Sequence, residues 1–293
     1  MQLTDIQLQQ LKNKLLDTYK LFSRFCEENS ISFFACAGTA IGGIRHSGFI
    51  PWDDDIDLMM MRPDYEKLRS LRHKLKSEHN ISLFFPGDDK YWLSYGKIGV
   101  PNTTFFSNWD WTLSIGLSID IFPYDEIGDD DNLSQTMVSK FKKLWYRYQL
   151  SIKNYRLEEF VKLLKGCHLR TFTEHLLGFL IYRKISKRLF KRWEKYESKI
   201  VSVKGDNVIT YSGYWSLKRE KHEKKWFSDK KMIKFEDTVI PVVKDYDSYL
   251  RTLYGDYMTP PPIDKQHTTH SCLYIDLERN ISFKEVQSLL NNK

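Results

Sequence analysis

Between Gly48 and Leu58 the chain reads GFIPWDDDIDL, four aspartates in five positions among apolar neighbours. Carboxylates this close repel one another and rise in pKa unless a positive charge sits among them. Asp is also a poor strand former. Yet Ile56, Leu58 and Met60 alternate with Asp55, Asp57 and Met59, the period of a half-buried strand. Asp55 and Asp57 therefore share one face. Hard oxygen ligands at that spacing suit Mg²⁺ or Mn²⁺, which take one or two protein carboxylates and complete their shell with substrate phosphates and water. A merely solvated acidic turn predicts polar neighbours, whereas Ile50, Trp52, Ile56 and Leu58 flank this one.

Just upstream, ISFFACAGTAIGGIRHSG runs from an apolar segment, Ile31 to Cys36, into Gly38 and Thr39, then to Gly42, Gly43, Arg45 and His46. A strand entering a Gly-Thr turn at a helix start presents unpaired backbone N–H groups and the positive end of a dipole, a good place for a phosphate. Glycine is common at helix entries for conformational reasons alone. The turn gains meaning from its company: a phosphate cradle, the basic pair Arg45 and His46, and a carboxylate pair are what metal-assisted phosphoryl transfer requires.

GTAIGGIRHSGFIPWDDDIDLMM resembles the signature of the LicD family, phosphotransferases of the nucleotidyltransferase superfamily that are similar to fukutin-related proteins. SIDIFPYDEIG (Ser118 to Gly128) resembles that family's second block and YGDYMTPPPIDKQHTTH (Tyr254 to His270) its C-terminal block. The resemblance implies a Gly-Thr turn at Gly38 and Thr39, a metal-binding pair at Asp55 and Asp57, and a third carboxylate, Asp120, from a later strand. Asp53 extends the pair to a D-x-D-x-D row of candidate ligands. The C-terminal block usually ends in a basic residue and adjacent histidines; here it carries Lys265, Gln266, His267 and a separated His270.

The expected fold is α/β (α+β), a nucleotidyltransferase-like mixed sheet flanked by helices. Its parts are a catalytic core over 1–135, a basic helical insertion over 136–205, and a C-terminal part over 206–293 that completes the site. Thr4 and Gln7 form a capping box ahead of Leu8, Leu11, Leu15, Tyr19, Phe22 and Cys26 on one helical stripe, not a signal-peptide layout. Pro63 opens a second helix with Tyr65, Leu68, Leu71 and Leu75 inward. Short β-rich runs follow at Ile81, Tyr91, Thr103 and Leu117, and again at NVITY and DTVIPV, before a helix over Tyr246 to Tyr254. Apolar runs are too short to span a bilayer. Cys26, Cys36, Cys167 and Cys272 are unpatterned and read as reduced core residues of a cytoplasmic chain.

Asp120 shares a strand face with Ser118 and Phe122, as a third metal ligand or as general base for an acceptor hydroxyl. Lys97 either neutralises phosphate or points outward from its strand. Lys265, His267 and His270 are donor-phosphate candidates or surface residues. Trp109 and Trp111, or Tyr254 and Tyr257, could stack a base or cage a quaternary ammonium, or belong to the core. The family resemblance implies transfer of phosphocholine from CDP-choline, or a related CDP ester, to a sugar hydroxyl of a cell-surface glycan (teichoic acid, lipopolysaccharide or capsule precursor). Ribitol or glycerol phosphate as cargo, and true nucleotidyl transfer, are the alternatives. Net charge is +7, and residues 138–204 carry 18 Lys and Arg against 5 Glu and no Asp. Nucleic-acid binding would use that charge but would leave the aspartates unexplained. Within the segment Leu177, Ile181, Ile185, Leu189 and Trp193 recur at helical spacing with cations between them. The expectation is an inward stripe with cations outward, toward the anionic inner face of the cell membrane where a lipid-linked glycan acceptor would be met.

Overall fold

The computed structural model describes residues 3–268 and 270–291. In chain order the first half comprises α1 (Asp5–Glu28), β1 (Phe34–Ala35), α2 (Ala37–His46), β2 (Asp57–Met61), α3 (Arg62–Ser70), α4 (Arg72–His79), β3 (Ser82–Phe84), β4 (Gly96–Gly99), β5 (Thr104–Phe106) and β6 (Ser118–Ile127). Four helices follow: α5 (Asp131–Ile152), α6 (Leu157–Lys165), α7 (Leu169–Leu180) and α8 (Ser186–Val201). The chain then returns through β7 (Asn207–Ile209), α9 (Leu217–Glu220), β8 (His222–Glu223), β9 (Lys230–Phe235), β10 (Thr238–Val243), α10 (Tyr246–Tyr254), β11 (Tyr274–Asp276) and α11 (Phe283–Asn291).

The fold is the expected mixed sheet flanked by helices. Its strands run β1-β2-β6-β4-β3, with β7 on the far half of β6 and β8 beyond it. β2 and β6 are parallel; every other pair in the sheet is antiparallel. The capping box at Thr4 forms, and α1 lays Leu11, Leu15, Tyr19, Phe22 and Cys26 into the core. Proline sits in the first turn of α3, which the C-cap at Leu71 separates from α4; Tyr65, Leu68 and Leu75 are buried. A second core forms where Phe141, Trp145 and Tyr148 of α5 meet Trp193 of α8 and Tyr211.

The basic segment departs from expectation. Its stripe is not one helix: α7 ends at Leu180, Ile181 caps it, and a 3₁₀ turn over Tyr182–Ile185 redirects the chain into α8. Trp193 faces inward as predicted, but Leu177 and Ile181 are exposed. Helical spacing alone could not reveal that the chain bends between Ile181 and Ile185.

Candidate active site

Three strands put three charged side chains into one row. Asp57 opens β2 and is in register with Asp120 on parallel β6; Asp120 is in register with Lys97 on antiparallel β4. Side chains in register on adjacent strands share a face. Lys97 Nζ donates to Asp120 Oδ1 and, at 3.0 Å, to Ser118 Oγ. Lys97 thus faces the carboxylate row and does not point outward from its strand. The strand end is pinned from α2: the Asp57 amide donates to Thr39 Oγ1 at 2.8 Å, and the Cys36 amide to the Asp57 carbonyl at 3.0 Å. The buried Thr39 hydroxyl therefore holds the start of β2. Burial first, then the charges of Asp55 and Asp120, push the Asp57 carboxyl well above its usual range; burial and Asp53 do the same to Asp55.

The loop before β2 is fastened from three sides. Gly38 lies against Asp53, so closely that a Cβ there would come 2.6 Å from Asp53 Oδ2. Only glycine lets that carboxylate approach the start of α2. Gly42 similarly admits the returning backbone, since a Cβ would meet the Gly48 carbonyl oxygen at 2.5 Å. From α1, Lys12 Nζ donates to the carbonyls of Ile50 and Pro51 at 3.1 and 2.8 Å. Burial lowers the Lys12 pKa, opposed by the charges of Asp53, Glu236 and Asp54. From the C-terminal part, His270 Nδ1 lies 2.7 Å from Asp54 Oδ1, and Nε2 lies 3.7 Å from Asp55 Oδ2. The Asp54 hydrogen bond, aided by the charges of Asp55, Asp54 and Asp53 and opposed by burial, raises His270 to about 9. The carboxylates thus favour the protonated ring.

Two cavities meet at this centre, sharing Asp55, Tyr95, Asp120 and His270 as walls. The first, about 380 Å³, extends over Lys97 and Ser118 toward Trp92, Asn108 and Trp111. The second, about 540 Å³, runs past Asp57 between Phe122, Tyr124, Trp215, Tyr249 and Tyr254, with Glu220 in its wall. Glu220 is 6% exposed; burial raises its pKa, and the Trp215 amide donates to its Oε1 at 2.9 Å.

A profile of the LicD/FKTN/FKRP nucleotidyltransferase domain matches residues 30–154. Over 260 residues, 87% of this chain and 92% of the relative, the sequence is 27% identical to the lipopolysaccharide cholinephosphotransferase LicD of Haemophilus influenzae. An uncharacterized protein of Rickettsia typhi is 28% identical over 39% of this chain and 41% of its own length. Residues 30–154 thus carry the similarity to the LicD family. The matched LicD domain holds Asp55, Asp57, Lys97 and Asp120, whereas His270, Trp215, Glu220 and Tyr254 come from the chain beyond it.

Several expected site residues lie elsewhere. Arg45 and His46 close the last turn of α2, about 10 Å along the helix from Gly38. Arg45 Nη1 donates to the Tyr257 carbonyl at 2.7 Å and its Nε to His46 Nε2 at 2.9 Å, and neither residue lines either cavity. They were expected to flank the cradle, but proximity in sequence to a helix start becomes distance along its axis. Lys265 and His267 are exposed and off both cavity walls, so His270 alone of that block's candidates reaches the centre. Trp111 lines the first cavity, stacked on Trp92 at 5.4 Å, and Tyr254 the second. Trp109 packs on Phe283, and the hydroxyl of buried Tyr257 donates to Asp247. Lys12, Tyr95, Trp92, Trp215 and Glu220 escaped sequence reading. Only Lys12 left a signal, a cation beside Leu11 on the buried stripe of α1.

The donor chemistry bears on the implied metal. Asp55 and Asp57 are hard oxygen donors, half-buried and mutually repelling, and a Mg²⁺-type site needs only one or two carboxylates when phosphates fill the rest. That pair fits. Among the described residues no three His, Cys, Asp or Glu side chains are arranged to hold one ion, so the row of Asp53, Asp55, Asp57 and Asp120 does not stand as a ready-made cage. Asp53 lies against Gly38, and Asp120 carries Lys97.

Proposed function

We propose that the chain is a transferase that moves phosphocholine from CDP-choline to a sugar hydroxyl of a cell-surface glycan. The class comes with the family; the choline cargo is supported by the printed activity of the Haemophilus relative and by one observation in this chain. That observation is the second cavity, where aromatic rings and a buried carboxylate, Glu220, open directly beside Asp57. A trimethylammonium group has no hydrogen to donate, so aromatic faces and a nearby negative charge are what recognise it. Trp215 and Tyr254, with ring centroids 5.8 Å apart and edge to face, form one corner of that cavity.

The remaining residues then take roles around the diphosphate. First-turn amides of α2 lack intrahelical partners and point where phosphate oxygens can lie. Lys97 and His270 supply positive charge from the opposite side. Held by Asp55 and Asp57, Mg²⁺ or Mn²⁺ would neutralise the diphosphate and the departing CMP. Asp120, on the wall common to both cavities, orients an acceptor hydroxyl arriving from the first. The hydroxyl oxygen attacks the choline-bearing phosphorus, the bond from that phosphorus to CMP breaks, and the hydroxyl proton passes to Asp120. Asp120 is already paired with Lys97, which fixes its carboxylate in place, so orientation is its larger share.

Incubation with Mn²⁺ and either CDP-choline or CTP, with release of CMP or pyrophosphate as readout, tests the reaction. Glu220→Gln and Trp215→Leu should raise KM for CDP-choline at least about tenfold, the loss of one desolvated cation contact. Turnover of CDP-ribitol or CDP-glycerol with none of CDP-choline would assign the other cargo, and pyrophosphate release from CTP would assign nucleotidyl transfer.

A further inference from the structure

The α6–α7 hairpin inverts the usual arrangement of a surface. α6 buries no residue, and Leu157, Val161 and Leu164, spaced four and three apart, form an exposed stripe. On α7, Leu169, Leu176 and Leu180, spaced seven and four apart, share one helical face, and Leu177 and the capping Ile181 widen it. Exposure is 80% at Leu157, 64% at Leu169 and 50% at Leu180. These helices already meet through rings of their own, where half-buried Phe160 contacts Phe172 and the partly exposed Phe179. The outer stripe is therefore surplus to packing within the hairpin. Contiguous apolar surface of this kind marks an interaction site.

Charge selects the partner. Directly after the stripe, Arg183, Lys184, Lys187, Arg188, Lys191 and Arg192 follow within ten residues without an acidic residue among them, and all are exposed. A second copy docked symmetrically would bring like charges together. An anionic bilayer satisfies both features, because leucines enter the headgroup boundary while cations meet lipid phosphates. Among the described residues no helix is long and apolar enough to cross a membrane, so the contact lies on the surface.

We infer that the α6–α7 hairpin inserts its leucine stripe into the interfacial layer of an anionic membrane, with the Arg183–Arg192 segment as electrostatic anchor. The hairpin is coupled to the reaction centre. Buried Lys153 pairs with Asp110 and, at 3.1 Å, with Glu159 of α6, while Asn154 Nδ2 donates to the Trp109 carbonyl at 2.9 Å. These contacts fasten α6 to the loop that supplies Asn108 and Trp111 to the first cavity. Docking would set that cavity beside the bilayer, where a lipid-linked acceptor is presented. The inference does not depend on the identity of the transferred group.

Co-sedimentation of the full chain with phosphatidylcholine vesicles, with and without phosphatidylglycerol, is the test. Wild type should bind the anionic vesicles at least about tenfold more tightly, and raised salt should weaken that binding. Combined Leu157→Asp, Leu164→Asp and Leu180→Asp should lower binding at least about tenfold, as should Arg183→Gln with Lys184→Gln, Lys187→Gln and Arg188→Gln. Circular dichroism checks that each variant keeps its helices; if the triple variant does not, Leu157→Asp alone, at the most exposed stripe position, decides. Absence of binding to anionic vesicles, or unchanged binding of the leucine variants, overturns the inference. So does a wild-type dimer that the leucine variants convert to monomer without any vesicle binding, which would assign the stripe to a second copy.

Discussion

The carboxylate centre and the α6–α7 hairpin violate the same rule in opposite directions. At the centre, charges are withdrawn from water among Ile56, Leu58 and Ile121; on the hairpin, leucines are held out in water among lysines and arginines. Each arrangement is unfavourable for the isolated chain, and each becomes favourable when a specific external partner arrives. Under the proposed function the partner of the carboxylates is a cation with a diphosphate, and under the membrane inference that of the leucines is an apolar boundary under anionic headgroups. The difference lies in rigidity. The aspartates are pinned by strand register, Thr39 and Lys12, so their partner must fit them, whereas the stripe sits on two short helices and asks only for a surface.

The largest effect should come from Asp55→Asn and Asp57→Asn. Each is expected to lower turnover by about 10² or more, the scale for losing a principal electrostatic contact in an active site. Wild type should gain thermal stability from Mn²⁺ by mass action and the variants should not. Equal stabilisation of all three proteins would break the comparison by removing the cation from one side of it.

Next comes Asp120→Asn, which should retain CDP-choline affinity in calorimetry while losing about 10²-fold in transfer. Binding lost as severely as in Asp55→Asn would make Asp120 part of the donor site and would reduce the two cavities to one functional space. Lys12→Met is expected to destabilise by about 1–3 kcal/mol, because it leaves two carbonyls without their buried donor. Its Tm should fall more than that of the leucine-to-aspartate hairpin variants, which remove no packed side chain. The reverse order would show the hairpin to be structural.

The smallest effect concerns the seam between the sheet and the helical layer. Arg62, the first residue of α3, binds Asp125 through two hydrogen bonds and approaches Glu197 of α8 at 3.4 Å. Burial, only partly offset by Arg62, raises the Glu197 carboxyl to about 7. A carboxyl whose folded pKa lies above its unfolded value binds its proton more tightly in the folded state. Stability from this group is therefore present below the unfolded value and is lost as pH rises toward 7. Glu197→Gln should flatten the fall in Tm between about pH 4.5 and 7. An unchanged slope would place that pH dependence elsewhere on the seam.

What sequence determined was local. A row of aspartates beside alternating apolar residues specified a strand end with carboxylates on one face, and Asp57 and Asp120 duly stand in register. Periodicity specified α1 and its buried stripe, and the helix over Tyr246–Tyr254. Pattern and spacing carry such features because they are properties of one element and its neighbours in the chain. Only the tertiary structure decided which charges reach the centre. Arg45 and His46 are near Gly38 in sequence but at the other end of the helix, while His270 is 215 positions from Asp55 and lies against it. It decided, too, that Lys97 neutralises Asp120, that Glu220 and Trp215 wall the second cavity, and that the stripe through Leu177 and Ile181 turns outward. These outcomes depend on strand order and on where one helix stops. Both are settled by how separate elements cover one another's apolar faces, a contest among distant segments that no single stretch of sequence records.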